Sequence, residues 1–133
     1  MDIKRFIDVA LTLPKEDSIL VTGDHGIGKS QCVYQIAKKL GLPVIERRLS
    51  QQSEGDLIGL PFKNEKNGST GFYPPDWFME CTKKPYVLFL DEINRATPEV
   101  QQASFEIVLD RRLNGHNLHP DCRVFAAINT GTS

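Results

Sequence analysis

An α/β layered fold with a mostly parallel central sheet follows from three features of the sequence. Short apolar runs at Ser18–Thr22, Tyr86–Leu90 and Cys122–Ile128 read as buried strands, each stopping sharply at a glycine or polar residue. Helical periodicities separate these runs, and strands that alternate with helices favour parallel neighbours. The length of 133 residues suits one domain, with a core that needs neither disulfides nor a structural metal.

Taken in order, Ile3, Phe6, Ile7, Ala10 and Leu11 recur at helical spacing, which predicts an amphipathic helix over residues 2–11, stopped before Pro14. The strand at 18–22 ends at Gly23, and a glycine-containing loop follows. Val33, Ile36, Ala37 and Leu40 define a second helix, closed by Gly41 and Pro43. Another strand is expected within Pro43–Leu49, and Ser53–Leu57 can open a short helix. From Gly59 to Pro75 the composition shifts to Pro, Gly and Asn, which reads as an insertion or loop that can form a hairpin turning at Asn67-Gly68. Residues 86–90 are the strongest strand and run into two acids, Asp91 and Glu92. Thr97 can cap a helix that begins at Pro98 and carries Val100, Ala103 and Ile107. A turn near Asn114-Gly115 precedes the last strand, 122–128, which stops at Asn129.

Sixteen basic side chains face seventeen acidic ones, so bulk charge gives no support to a nonspecific grip on nucleic acid. No apolar run approaches the roughly 20 residues of a membrane span, and the charged start lacks a secretory signal, so no membrane is expected and a cytoplasmic location is. Cys32, Cys81 and Cys122 read as reduced thiols. His116, His119 and Cys122 have a spacing that could suggest zinc, but a fourth ligand is not evident and Cys122 opens a strand.

Gly23-Asp-His-Gly-Ile-Gly-Lys29-Ser30 matches G-x-x-x-x-G-K-[ST] at every fixed position, between a buried strand and a helix. Such a loop turns successive backbone N–H groups inward as an anion nest, and the helix adds its positive end. The candidate nucleotide-binding set is therefore Gly23, Asp24, His25, Gly26, Ile27, Gly28, Lys29, Ser30 and Gln31. The His25 side chain occupies a variable position, where the backbone does the binding. Lys29 is expected to reach the β- and γ-phosphates, and Ser30 to complete a magnesium shell with Asp91. Ligands of open parallel sheets bind beyond the carboxyl ends of strands, so Asp91-Glu92 and the glycine loop should converge at one edge. Glu92 is placed to polarise the attacking water. Asn129, at the end of another strand, can donate to the γ-phosphate or that water, provided the strand order brings it near.

Gly23–Ser30, Leu90-Asp-Glu-Ile-Asn-Arg-Ala96 and Phe125-Ala-Ala-Ile-Asn129 together resemble the Walker A, Walker B and sensor-1 series of AAA+ ATPases, and the run from Asp91 is most similar to the MoxR branch. The resemblance implies a three-layer P-loop NTPase fold over residues 1–133, with a β-hairpin insertion at about 59–75. It also implies ATP and Mg2+ as cofactors, a homo-oligomeric ring, and a protein client or a partner with a von Willebrand factor A domain. Phe62, Phe72 and Tyr73 of the insertion become candidates for partner contact or for packing onto the domain. The family's helical lid and arginine finger are expected after the sensor-1 strand, outside this sequence, so it reads as the amino-terminal portion of a larger module with slow hydrolysis by itself. Arg95, Arg111 and Arg112 are the arginines left that could face a neighbouring subunit, or that simply sit solvated at helix ends. Two other functions compete with a remodelling ATPase: a module that holds ATP with little turnover, and a GTP-using relative from a restriction system.

Overall fold

The computed structural model describes residues 3–23 and 28–131. Four parallel strands form the central sheet: β1 (Ile19–Gly23), β2 (Val44–Arg48), β5 (Val87–Asp91) and β8 (Arg123–Asn129), in the order β1-β8-β5-β2. The two strands at 18–22 and 122–128 are each shifted by one residue from expectation. Pairing continues to Gly23 opposite Asn129, and the Thr130 N–H still donates to the Gly23 carbonyl.

Helices cover both faces, giving three layers. On one face, α1 (Ile3–Thr12) and α2 (Lys29–Leu40) supply Ile7, Ala10, Val33, Ile36 and Ala37, which pack with Val87, Phe89, Phe125 and Ala127 of the sheet. The opposite face takes the alternate strand residues Leu88, Leu90, Val124 and Ala126. These meet Leu57 of α3 (Glu54–Leu57), Phe78 and Cys81 of α4 (Asp76–Lys83), and Val100 and Ile107 of α5 (Pro98–Asp110). The two-residue alternation explains why 87–91 is apolar throughout: both of its faces are inside.

Local chemistry sets the helix ends. Ser53 and Asp56 form a reciprocal capping box on α3, and the Thr97 hydroxyl accepts from the Val100 N–H ahead of Pro98. Gly41, at φ 71°, closes α2 with bonds from Gly41 and Leu42 to the carbonyls of Lys38 and Ala37. The buried Arg123 side chain of β8 donates to the Ala10 carbonyl at 2.8 Å, satisfying the C-terminal end of α1 across the sheet edge. Helix α4 was not anticipated. Its eight residues are too few for a clear period, and they follow the Pro74-Pro75 pair directly.

The insertion is a hairpin of β3 (Leu60–Asn64) and β4 (Ser69–Tyr73), antiparallel, with Gly68 at φ 70° in its turn. Of the three aromatics picked from sequence, Phe62 is half-buried against Tyr73, ring centroids 4.3 Å apart, while Phe72 and Tyr73 are exposed. Gly59 sits at the hairpin's base with φ 100°, and a Cβ there would lie 1.7 Å from the Tyr73 carbonyl oxygen. Gly59→Ala should therefore lower stability by about 1–3 kcal/mol from backbone strain alone, read as a drop in the urea midpoint. An unchanged midpoint would mean that the hairpin base does not close this way.

Asn114-Gly115 turns a smaller hairpin, β6 (Arg112–Leu113) with β7 (His116–Asn117), both turn residues having positive φ as a type I′ turn requires. His116 is exposed on β7, His119 Nδ1 accepts from the Asp121 N–H, and the Cys122 thiol donates to the Cys81 carbonyl. These three side chains thus have separate partners or face solvent. Among the described residues no helix is long and apolar enough to cross a membrane.

Candidate functional site

The carboxyl ends of β1, β8, β5 and β2 lie side by side, so the sheet order brings Gly23, Asn129, Asp91 and Arg48 to one edge. Placing β8 between β1 and β5 puts Asn129 between the glycine loop and the acids, which is the arrangement its expected role requires. Of the loop, Gly23 and Gly28–Gln31 are described; Asp24, His25, Gly26 and Ile27 lie outside the described residues. Gly28 precedes α2 in the left-handed conformation, φ 84°. That turn lets α2 start at Lys29 with its N-terminal N–H groups directed at the sheet edge.

Lys29 is 8% exposed. Its Nζ donates to the carbonyls of Gly23 at 3.3 Å and Ile128 at 3.4 Å, and lies 3.9 Å from Asp91 Oδ1. Both hydrogen bonds are long, so the ammonium rests on weak partners and could exchange them for phosphate oxygens. Asp91 is 7% exposed and accepts from the Glu92 N–H at 2.8 Å. Burial raises the Asp91 carboxyl above its ordinary pKa, Lys29 and the backbone bond oppose this, and the charges of Glu92 and Glu46 add to it. A pocket with more carboxylates than cations is relieved by a hard cation. The Ser30 hydroxyl and Asp91 carboxylate are oxygen donors of the kind magnesium takes, and both neighbour Glu46, Ser30 by a 3.4 Å contact and Asp91 through its charge, so the residues present fit that ion.

Glu92 takes a left-handed conformation, φ 57°, and begins the 3-10 turn Ile93–Arg95. Non-glycine residues rarely adopt this backbone, and it marks a held position rather than an ordinary turn. The side chain is held as well: the Ser50 hydroxyl donates to Glu92 Oε2, and Arg48 Nε lies 4.0 Å from the same oxygen. Two residues on, Asn94 exchanges hydrogen bonds with the Asn129 backbone, Nδ2 to the carbonyl at 2.7 Å and Oδ1 from the N–H at 3.0 Å. Asn129 is 7% exposed, and its Oδ1 accepts from the Gly131 N–H at 2.9 Å. The carboxamide oxygen is thus used in a turn contact, and donation to a ligand would come from Nδ2.

Three neighbours of this site had no sequence signal of their own, Glu46, Arg48 and Ser50, and Asn94 stood only within the run from Asp91, with no role assigned to it. Each becomes relevant through a contact between elements, as with Ser50 and Glu92, 42 residues apart. The three candidate arginines separate. Arg111 is committed to the carbonyls of Lys15, His119 and Cys122, Arg95 donates to the Gly131 carbonyl, and Arg112 is exposed on β6.

Solved structures share this architecture. A Thermotoga maritima RuvB mutant superposes with a TM-score of 0.63 at 19% identity, over 96% of this chain and 38% of that one. NtrX from Brucella abortus in complex with ADP is similar over 97% of this chain and 29% of that one, at 18% identity and a TM-score of 0.63. These likenesses show an α/β fold with a mostly parallel sheet. Among curated proteins, midasin of Giardia intestinalis is 31% identical over 113 residues, 83% of this chain. The Holliday junction branch migration complex subunit RuvB of Anaeromyxobacter is 28% identical over 99 residues, 74% of this chain. The chain spans 2% of that midasin and 24% of that RuvB. The family model for the AAA domain of the dynein-related subfamily matches residues 18–131, and the chain belongs to this family.

Proposed function

We propose that this domain binds ATP with magnesium and hydrolyses it. One observation carries the reading: Lys29, Asp91, Glu92 and Asn129 gather at the carboxyl edge of one parallel sheet, beside the glycine turn that opens α2. Lys29 binds the β- and γ-phosphates, Ser30 and Asp91 hold the cation, Glu92 accepts the proton of the attacking water, and Asn129 orients the γ-phosphate. Magnesium, when bound, neutralises charge on the phosphate oxygens. Gly23, Gly28 and Gln31 join Asp24, His25, Gly26 and Ile27 in lining the phosphates.

The domain would assemble as a ring, and a neighbouring subunit would supply an arginine worth several powers of ten in rate. The work done would be remodelling of a protein client, in the manner of the MoxR branch, with a von Willebrand factor A domain protein as one candidate partner. Exposed Phe72 and Tyr73 on the β3–β4 hairpin support a contact there. A second reading, a module that holds ATP and hardly turns it over, is favoured by the grip of Ser50 and Arg48 on Glu92.

Turnover with ATP and MgCl2 across a wide protein concentration range separates the two. A specific activity that climbs with concentration supports an assembling ATPase. Saturable binding with flat, negligible turnover supports the holding module, and a preference for GTP would instead favour the restriction-type relative.

A further inference from the structure

We propose that Glu46 is a positioning residue for the metal side of the site, taking the Ser30 hydroxyl proton so that the lone pairs of that oxygen are directed at the cation. The proposal rests on the nucleotide-binding reading above. Glu46 lies in β2, opposite Phe89 of β5, and is half-buried. Its two carboxylate oxygens are taken by two hydroxyls of α2 one helical turn apart: Ser30 Oγ at 3.4 Å from Oε2, and Tyr34 Oη at 2.9 Å from Oε1.

The chemistry follows from the hydroxyl group itself. A serine oxygen has one proton to give and two lone pairs to share, so a serine that ligates a cation must send its proton to some other acceptor. Glu46 Oε2 is an acceptor within reach, at a long 3.4 Å that makes the bond a weak one until a cation draws on the serine oxygen. Tyr34 fixes the carboxylate from its other side, and burial together with the Glu46 charge pushes the phenol pKa up, which keeps it a donor. Glu46 also adds negative charge beside Asp91. Both effects favour a cation at Ser30 and Asp91, whereas neither acts on the phosphate-binding backbone.

The competing explanation is a plain tether between α2 and β2 that matters only for stability. Binding of a fluorescent ATP analogue, mant-ATP, measured in EDTA and then across graded MgCl2, distinguishes them in the full chain. For Glu46→Ala, which removes the acceptor and its charge, the affinity in EDTA should stay within about twofold of wild type, while the MgCl2 midpoint for enhanced binding rises about tenfold, the scale expected near a divalent cation in a wet site. Tyr34→Phe, which leaves the exposed ring in place, should shift the same midpoint upward by about threefold. It carries the test if Glu46→Ala fails to fold. A lowered melting temperature with an unmoved MgCl2 midpoint in both variants would overturn the proposal and leave the tether. A wild-type chain whose nucleotide affinity ignores magnesium would overturn the parent reading, and this one with it.

Discussion

Lys29→Ala should weaken ATP binding by about a hundredfold to a thousandfold, the scale of removing one partner from a desolvated, hydrogen-bonded charge pair. Among the described residues the wild-type ammonium has only weak partners to give up when nucleotide arrives, its carbonyls at 3.3 and 3.4 Å and its carboxylate at 3.9 Å. Nearly the whole strength of the new phosphate contact is therefore gained on binding. Alanine forfeits that gain and also leaves Asp91 buried without its nearest cation, so electrostatic repulsion of the triphosphate adds to the loss. Isothermal titration with ATP and MgCl2 checks the result. Wild-type affinity in the variant would remove Lys29 from the phosphate site, and with it the assignment of the glycine loop.

Glu92→Gln should show the opposite split, with ATP affinity within a few-fold of wild type and turnover lower by about 10²–10⁴. The amide is close to isosteric, and its oxygen can still accept from the Ser50 hydroxyl, so the unusual backbone at this position keeps its support. What the amide lacks is a basic lone pair for the proton of water. Single-turnover hydrolysis on saturated protein isolates that step from binding. Undiminished turnover would shift the proton acceptor to another carboxylate at this edge, Asp91 or Glu46, and would sink the role given to Glu92.

Much of the sheet was legible in the sequence because β5 and β8 are apolar on both faces and β1, β5 and β8 each close on a glycine or polar residue, although β1 leaves Leu20 exposed. Gly23, Asp91 and Asn129 mark those ends, and the glycine loop and the paired acids carry their spacing along the chain. Element boundaries slipped by a residue because hydrogen bonding runs on past the last apolar side chain, as Gly23 opposite Asn129 demonstrates. Helix α4 was missed for want of length, its Phe78 and Cys81 being too few apolar contacts to show a period. The supports of the site were illegible for a different reason. Nothing adjacent to Ser50 or Glu46 in the chain distinguishes them from solvated polar residues. Only the pairing of β2 beside β5 carries Ser50 to Glu92, and only the packing of α2 on that strand carries Ser30 and Tyr34 to Glu46. Arg111 illustrates the converse: its charge and its place at a helix end suggested an outward role, yet three carbonyl partners hold it in.

The reciprocal bonds between the Asn94 side chain and the Asn129 backbone join the turn after β5 to the tip of β8. The groups proposed to activate water and to orient the γ-phosphate are thereby mounted on one plate. A push on either is felt by both, with no intervening hinge.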